Sequence, residues 1–589
     1  MILYYILVNL LYFCSFLFFG EKISRMSGID KSLEKISIKY LQYPILSISF
    51  FTYISSILIQ IGIKISFIAI AFNTLFLSTG IFYLLKKKND LKFINPSNIK
   101  NEFVLIIIIL SYLLLSFSPI TDADSLAYHA YFPKKILYFN QFNFDFYNFH
   151  ESLIGLLEFF YTIPLFIKSE HTLHLINFFS FLSIVSIFYK TYSGKENYIK
   201  IICLLIFTSP IFLHLVYSAK PQLLFISLSL LSFCLIYNEN ILKNFKFIIL
   251  LIFIIIFNFS GKSNFLISSL VLSVFLFSKI YKNLTLSIIL KIIFVSLILY
   301  MPIVYGKYLN LDKFNLNNLI NFIPSYLPGY KEFWIYLTNA QKENFFPISL
   351  FFPTNLTNIS LSLGLWPLLI LFILKIKKEI IFPVTLFFLM ITLGLKNNRF
   401  YLEPFLWISY ILITNIILKD KYKKFIENFS LIQIIPMFGI LIYTSLYFFS
   451  ANLNQNQKQE ILANSAYGYN FNKIINEKIG NKEFVLYNSR SLYYGNLNLI
   501  YMEFEKFSKD NFYYEIIANL NPKYLVLIDN EKKNEFLNNC KLDLIYKSKI
   551  KSKINRKNVF FGKNFEKNRI SSIKIYEFNN KNAKFCINK

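Results

Sequence analysis

Long apolar stretches alternate with short polar connections along most of the chain. They fall at about 2–19, 43–61, 63–85, 103–118, 172–189, 200–217, 222–237, 247–260, 263–280, 284–305, 356–374, 380–396, 400–418 and 430–450. Crossing about 30 Å of hydrocarbon takes roughly 17–25 apolar residues, so the pattern predicts about fourteen transmembrane helices. The stretch 152–167 is also apolar, but it opens on Glu151 and carries Glu158 and Pro164. It reads as an interfacial or re-entrant helix, because counting it as a span breaks the charge alternation below. Residues 2–19 have no positive N-terminal region and no small-residue cleavage site, and read as a retained helix.

From Ala451 the pattern changes. Short alternating runs at Glu483–Tyr487, Tyr524–Ile528, Leu542–Tyr546 and Ile573–Phe578 predict strands, and Tyr467–Ile479 and Phe512–Leu520 predict helices. The expectation is a small α/β domain. Three segments follow: additional N-terminal helices over 1–100, a membrane module over 101–450 and the α/β domain over 451–589.

Composition fits a polytopic α-helical membrane protein: 55% of the 589 residues are hydrophobic, and the mean hydropathy is +0.48. The net charge of +28 suggests nucleic acid only until its placement is seen. Lys86, Lys87, Lys88 and Lys92 fall on one side of the alternation, with Lys190, Lys195, Lys200, Lys243, Lys246, Lys279 and Lys282. Lys375, Lys377, Lys378, Lys419, Lys421, Lys423 and Lys424 join them. Positive loops mark the cytoplasmic side. The 119–171 loop, the 306–355 loop and the tail are then extracytoplasmic. The basic run Lys547–Arg569 reads as a solvated loop, or as a contact for lipid or glycan phosphates. Cys14, Cys203 and Cys234 lie in apolar segments as core thiols, while Cys540 and Cys586 are the pair available for a disulfide in an extracytoplasmic tail.

The densest candidate chemistry is Thr121-Asp122-Ala123-Asp124-Ser125-Leu126-Ala127-Tyr128-His129, just past the apolar run Phe103–Phe117. Carboxylates beside hydrocarbon are costly and usually functional. Asp122 and Asp124 suit a general base near an acceptor hydroxyl, or they cap a helix end. His129 suits a phosphate oxygen or an aspartate partner, or is a structural hydrogen-bonding group. The five histidines (His129, His150, His171, His174 and His214) match no zinc spacing. No metal is required, and a divalent ion on Asp122 or Asp124 remains an alternative. Lys134 and Lys135 follow at the same surface. Lys220, Lys262 and Arg399 stand at extracytoplasmic helix ends, against the charge trend, where they either bind a lipid-linked phosphate or snorkel to headgroups.

Four features resemble the GT-C superfamily of membrane glycosyltransferases, the group of glycosyltransferase-39-like and RgtA/B/C/D-like proteins. Asp124-Ser125-Leu126-Ala127-Tyr128 is similar to that family's Asp-Glu-x-x-Tyr, with serine for the second acid. The interfacial stretch from His150 follows. Gly261-Lys262 is similar to its Gly-x-x-Lys boundary, and Asn398-Arg399-Phe400-Tyr401-Leu402-Glu403-Pro404 to its late Arg-Tyr-x-x-Pro segment. Gln222 stands where many relatives carry another acid. The resemblance implies an inverting sugar transfer from a polyprenyl-phosphate donor to a glycan or lipid acceptor, at the outer face of a bacterial inner membrane. It implies Asp124 as base, Asp122 as its alternative, Arg399, Lys262 and Lys220 at the phosphate, and Tyr128 and His129 against substrate. A polymerase or ligase of polyprenyl-linked glycans, or a lipid-linked glycan flippase, are the competing classes. The early acids weigh against the first. Charges gathered at one surface weigh against the second.

Overall fold

The computed structural model describes residues 2–87, 102–140, 155–193, 195–238, 244–261, 263–281, 285–308, 346–352, 361–371, 377–393, 397–415, 420–480, 483–495, 498–501, 520–528, 542–552 and 569–578. Cys540, Cys586, His150, Lys262, nearly all of Phe512–Leu520 and most of the 306–355 loop and the 547–569 run lie outside them. The chain divides into two units. The first is Met1–Ser118, Gly155–Leu309 and Asn339–Leu453; the second is Pro119–Ile154, Asn310–Thr338 and Asn454–Lys589.

The first unit is a helical bundle. Among the described residues five helices are long and apolar enough to cross a membrane, or six if the bent pair Asn197–Phe207 and Pro210–Tyr217 is one span. That pair turns through 47°. The bend follows from Pro210, which cannot donate to the preceding turn, and Ser209 Oγ there donates to Leu363 O at 2.6 Å. Shorter apolar helices include Phe103–Ser116, Gln222–Asn238 and Phe245–Phe259. The chain is therefore a mostly helical protein with several helices long and apolar enough to cross a membrane. The stretch read as interfacial forms the helix Leu156–Phe166, 11 residues long. At 1.5 Å per residue it covers only about 16 Å.

Helices α1 (Ile2–Ser27), α2 (Asp30–Ile36), α3 (Tyr43–Gln60) and α4 (Ile65–Lys87) open the bundle. Gly20 sits against the backbone of Tyr43 and Gly80 against that of Leu11, so α1 meets α3 and α4 with no side chain between the backbones. Around these approaches Phe16, Phe51, Phe76 and Phe160 form an aromatic cluster. Hydrogen bonds tie the apolar surfaces together, since lipid offers no hydrophobic drive between helices. Tyr12 Oη donates to Asn73 Oδ1, and Asn73 Nδ2 donates to Ile163 O at 2.8 Å. Gln42 Nε2 donates to Ser186 Oγ at 2.6 Å, and Gln42 Oε1 accepts from Ser183 Oγ at 2.6 Å.

The lysine-bearing loops of this unit meet one another. Lys200 pairs with Glu102 at 3.1 Å, Lys423 with Glu196 at 2.6 Å and Lys279 with Glu379 at 3.4 Å. Lys195 Nζ donates to Ile413 O at 3.1 Å, at the C-terminal end of the helix Leu402–Asn415. All these partners belong to one side of the alternation read from the sequence. Asp30 stands on that side too. It accepts from Tyr43 Oη at 2.5 Å and Ser24 Oγ at 3.2 Å, and pairs with Lys39 at 3.4 Å. Burial pushes its carboxyl up, but the Tyr43 hydroxyl, the Lys39 ammonium and the Ser24 hydroxyl more than offset this and hold it below the ordinary carboxylate value. Stabilisation from a depressed carboxylate is complete above the unfolded value of about 3.9 and is lost as pH falls through the folded value. Asp30→Asn should therefore melt below wild type at pH 7, and the gap should narrow as melting is repeated below about pH 4.

The second unit carries a sheet of five described strands: β1 (Val485–Tyr487), β2 (Leu499–Tyr501), β3 (Tyr524–Ile528), β4 (Leu542–Ser552) and β5 (Arg569–Phe578), in the order β2-β1-β3-β5-β4. The first three are parallel, and β5 runs antiparallel to both β3 and β4. Alternation drives β5: Ile573 and Ile575 are buried while Lys574 between them is not. The tail is thus a small α/β structure, with helices Gln455–Ser465 and Tyr469–Ile479 ahead of the sheet.

Candidate functional site

The acidic motif forms an unusual turn. Asp122 is buried, its Oδ1 accepts from Ser125 N at 3.2 Å, and its carbonyl accepts from Leu126 N at 3.0 Å. From Ser125 to His129 the backbone widens into a π-helical turn, closed by Ala130 N donating to Ser125 O at 3.0 Å. Such turns are rare and concentrate at functional sites. The two acids stand just ahead of this turn in different settings. Asp122 takes the capping role that favours Asp at the start of a helical turn, and Asp124 stays half-buried. Tyr128 and His129 are buried on the same turn, their rings 4.0 Å apart between centroids.

The tail holds this turn in place. Leu126 O accepts from both Leu492 N and Tyr493 N at 3.1 Å. Tyr131 Oη donates to Leu499 O at 3.2 Å, and Tyr494 Oη donates to Ile120 O at 3.0 Å. Lys134 Nζ donates to Tyr493 O at 2.7 Å and lies 5.1 Å from the centre of that residue's ring. Its charge is committed to the tail. Hydrogen bonds from a charged donor contribute about 1.5–3 kcal/mol. Lys134→Met should lower stability by an amount of that order, read as faster proteolysis of the tail at unchanged membrane insertion.

The other candidates belong to the helical unit. Lys220 is buried, with Nζ 3.0 Å from His214 Nε2. Its turn is fixed by Asn177 Nδ2, which donates to Ser218 O at 2.6 Å and Lys220 O at 2.9 Å. His174 stacks on Tyr217, and Ser118 Oγ lies 3.4 Å from His174 Nδ1. Arg399 is half-buried on a single 3-10 turn, Asn398–Phe400, with its guanidinium carbon 5.4 Å from the centre of the Phe400 ring. Asn397 caps that turn by accepting from Arg399 N at 3.4 Å, and Asn398 Nδ2 donates to Ser349 O at 2.7 Å.

Asp122, Asp124, Tyr128 and His129 are therefore brought together on one turn, whereas Lys220 and Arg399 sit at separate helix junctions of the other unit. Two residues escaped the sequence reading. Glu403 is fully buried and accepts from Ser229 Oγ; an acid opening an apolar helix was the signal for it. His214 is the partner of Lys220, visible only as a spacing of six residues just ahead of Pro221. Among the described residues no group of three or more His, Cys, Asp or Glu side chains is arranged to hold a metal ion.

The family model described as the DUF1420 N-terminal domain matches residues 38–453. No curated protein and no solved structure matches the chain.

Proposed function

The chain belongs to the DUF1420 family, and we propose that it is an integral-membrane glycosyltransferase of the GT-C type. It moves a sugar from a polyprenyl-phosphate donor to a glycan or lipid acceptor of the cell envelope. The observation that carries this reading is the π-helical acidic turn: it is anchored by backbone and side-chain bonds to the tail, with one acid used as a cap and the other left partly exposed. A general base has to be held at hydrogen-bonding distance from its proton in a fixed geometry.

In the proposed step the acceptor hydroxyl attacks the anomeric carbon. Its proton passes to Asp124, and the bond from the anomeric carbon to the phosphate oxygen breaks with its electron pair leaving on the phosphate. Configuration inverts. Arg399 and Lys262 are assigned to the donor phosphate, with Lys220 as a further cation. Tyr128 and His129 are assigned to substrate contacts. The lysine-bearing end of the bundle is placed in the cytoplasm by the charge rule. The tail then faces outward from a bacterial inner membrane, and the full set of about fourteen spans follows from the hydropathy pattern.

The test is mass spectrometry of polyprenyl-linked sugars and envelope glycans in a deletion strain. The expected result is loss of one sugar from a glycan with its lipid-linked donor accumulating, restored by the wild-type chain. Whole glycans trapped on the cytoplasmic side would instead identify a transporter.

A further inference from the structure

Within the second unit the helix Tyr469–Ile479 and the turn after β1 border an open pocket of about 350 Å³, lined by Tyr469, Lys473, Asn476, Glu477 and Tyr494. Its volume falls in the range of about 300–1,000 Å³ typical of small-molecule sites. The helix supplies four of these residues at spacings of four, seven and eight, which places them on one face. Tyr469 and Tyr494 meet edge to face, with centroids 5.3 Å apart and planes at 87°. They form a corner of two aromatic walls. Asn476 Nδ2 fixes one wall by donating to Tyr494 O at 2.9 Å. Tyr494 Oη in turn donates to Ile120 O, two residues before Asp122.

We infer that this pocket is a saccharide-binding site. A sugar ring presents one face of C–H groups and a rim of hydroxyls. Tyrosine suits both, since its ring is apolar and its hydroxyl polar. The exposed Lys473, Asn476 and Glu477 supply donors and acceptors around that corner. Charge sets the class of ligand. One ammonium and one carboxylate balance, which favours a neutral sugar over a phosphate, because phosphate sites gather cations without a competing acid. An acyl chain would need the polar side chains buried without partners. Continuity with the acidic turn through Tyr494 gives the site its use. It holds the sugar residues behind the acceptor hydroxyl, a role that rests on the transferase reading, whereas saccharide binding itself does not.

The experiment uses the full chain in nanodiscs and equilibrium dialysis against maltotriose, mannotriose, galactotriose and chitotriose. At least one should bind, Tyr469→Ala should weaken it by about tenfold or more, and Tyr469→Phe should keep most of the affinity. Asp124→Asn should bind as tightly as wild type. Absence of binding by all four, or equal binding by wild type and Tyr469→Ala, overturns the inference. An Asp124→Asn chain that still transfers sugar would overturn the catalytic assignment and leave the pocket standing.

Discussion

If Asp124 is the base, Asp124→Asn should abolish sugar transfer while the protein still inserts and folds. The substitution keeps the shape of the side chain and removes its basicity. A positioned general base contributes about 10²–10⁴-fold to rate, so the expected loss is at least of that order, read as the complemented strain failing to restore the missing glycan sugar. Asp122 behaves differently. Its Oδ1 accepts from Ser125 N, and asparagine caps a helical turn about as well as aspartate. Asp122→Asn is therefore close to silent in the same assay. Asp122→Ala loses the cap and about 1 kcal/mol of stability. Full activity in a well-expressed Asp124→Asn chain, or equal losses from both asparagine variants, would refute this division of labour.

The second large effect is structural. Gly20 and Gly80 lie where a Cβ would run into the backbone of Tyr43 and of Leu11. A backbone cannot swing aside like a flexible side chain, so α1 must shift away from its neighbours. Overpacking of this kind costs about 1–3 kcal/mol. Gly80→Ala and Gly20→Ala should each lower the melting temperature in detergent and shift the chain toward aggregates on size exclusion. Gly439, in the helix Asp420–Phe449, is the control. A Cβ there meets nothing within 4 Å, and Ala is the better helix former by about 1 kcal/mol. Gly439→Ala should leave melting unchanged or raise it. Equal destabilisation by all three would mean that helix contacts are not what Gly20 and Gly80 serve.

Much of the bundle was legible because hydropathy and charge act through simple sums. Among the described residues most apolar runs become helices, and Lys200, Lys423 and Lys279 in the connections between them pair with Glu102, Glu196 and Glu379. Breaks inside a run were harder. The run 200–217 reads as one segment, yet Pro210 splits it into two helices at 47°. In the tail four strands were read from alternation, but β2 was missed. At three residues, Leu499–Tyr501, it is too short to show a period. At the site the residue types were visible while their division of roles was not. Nothing in Asp122-Ala123-Asp124 says which acid is buried; that emerges only in the folded segment, where Leu126 and Tyr131 bond to residues from Leu492 to Leu499. Glu403 was quoted as part of a motif and not as a buried acid, because burial inside a bundle depends on which helices surround it.

The acidic turn and the strand that anchors it are far apart in sequence. Tyr131 and Leu499, joined by a hydrogen bond, are separated by 368 positions. At about 5–20 residues per second a ribosome takes roughly 20–70 s to cover that interval. During that time every helix up to Phe449 can enter the bilayer while the turn has no partner to close on. The acidic turn is then completed last, after the helices that precede the tail have been laid down, so a nascent or stalled chain carries Asp124 in a segment that still lacks its anchor.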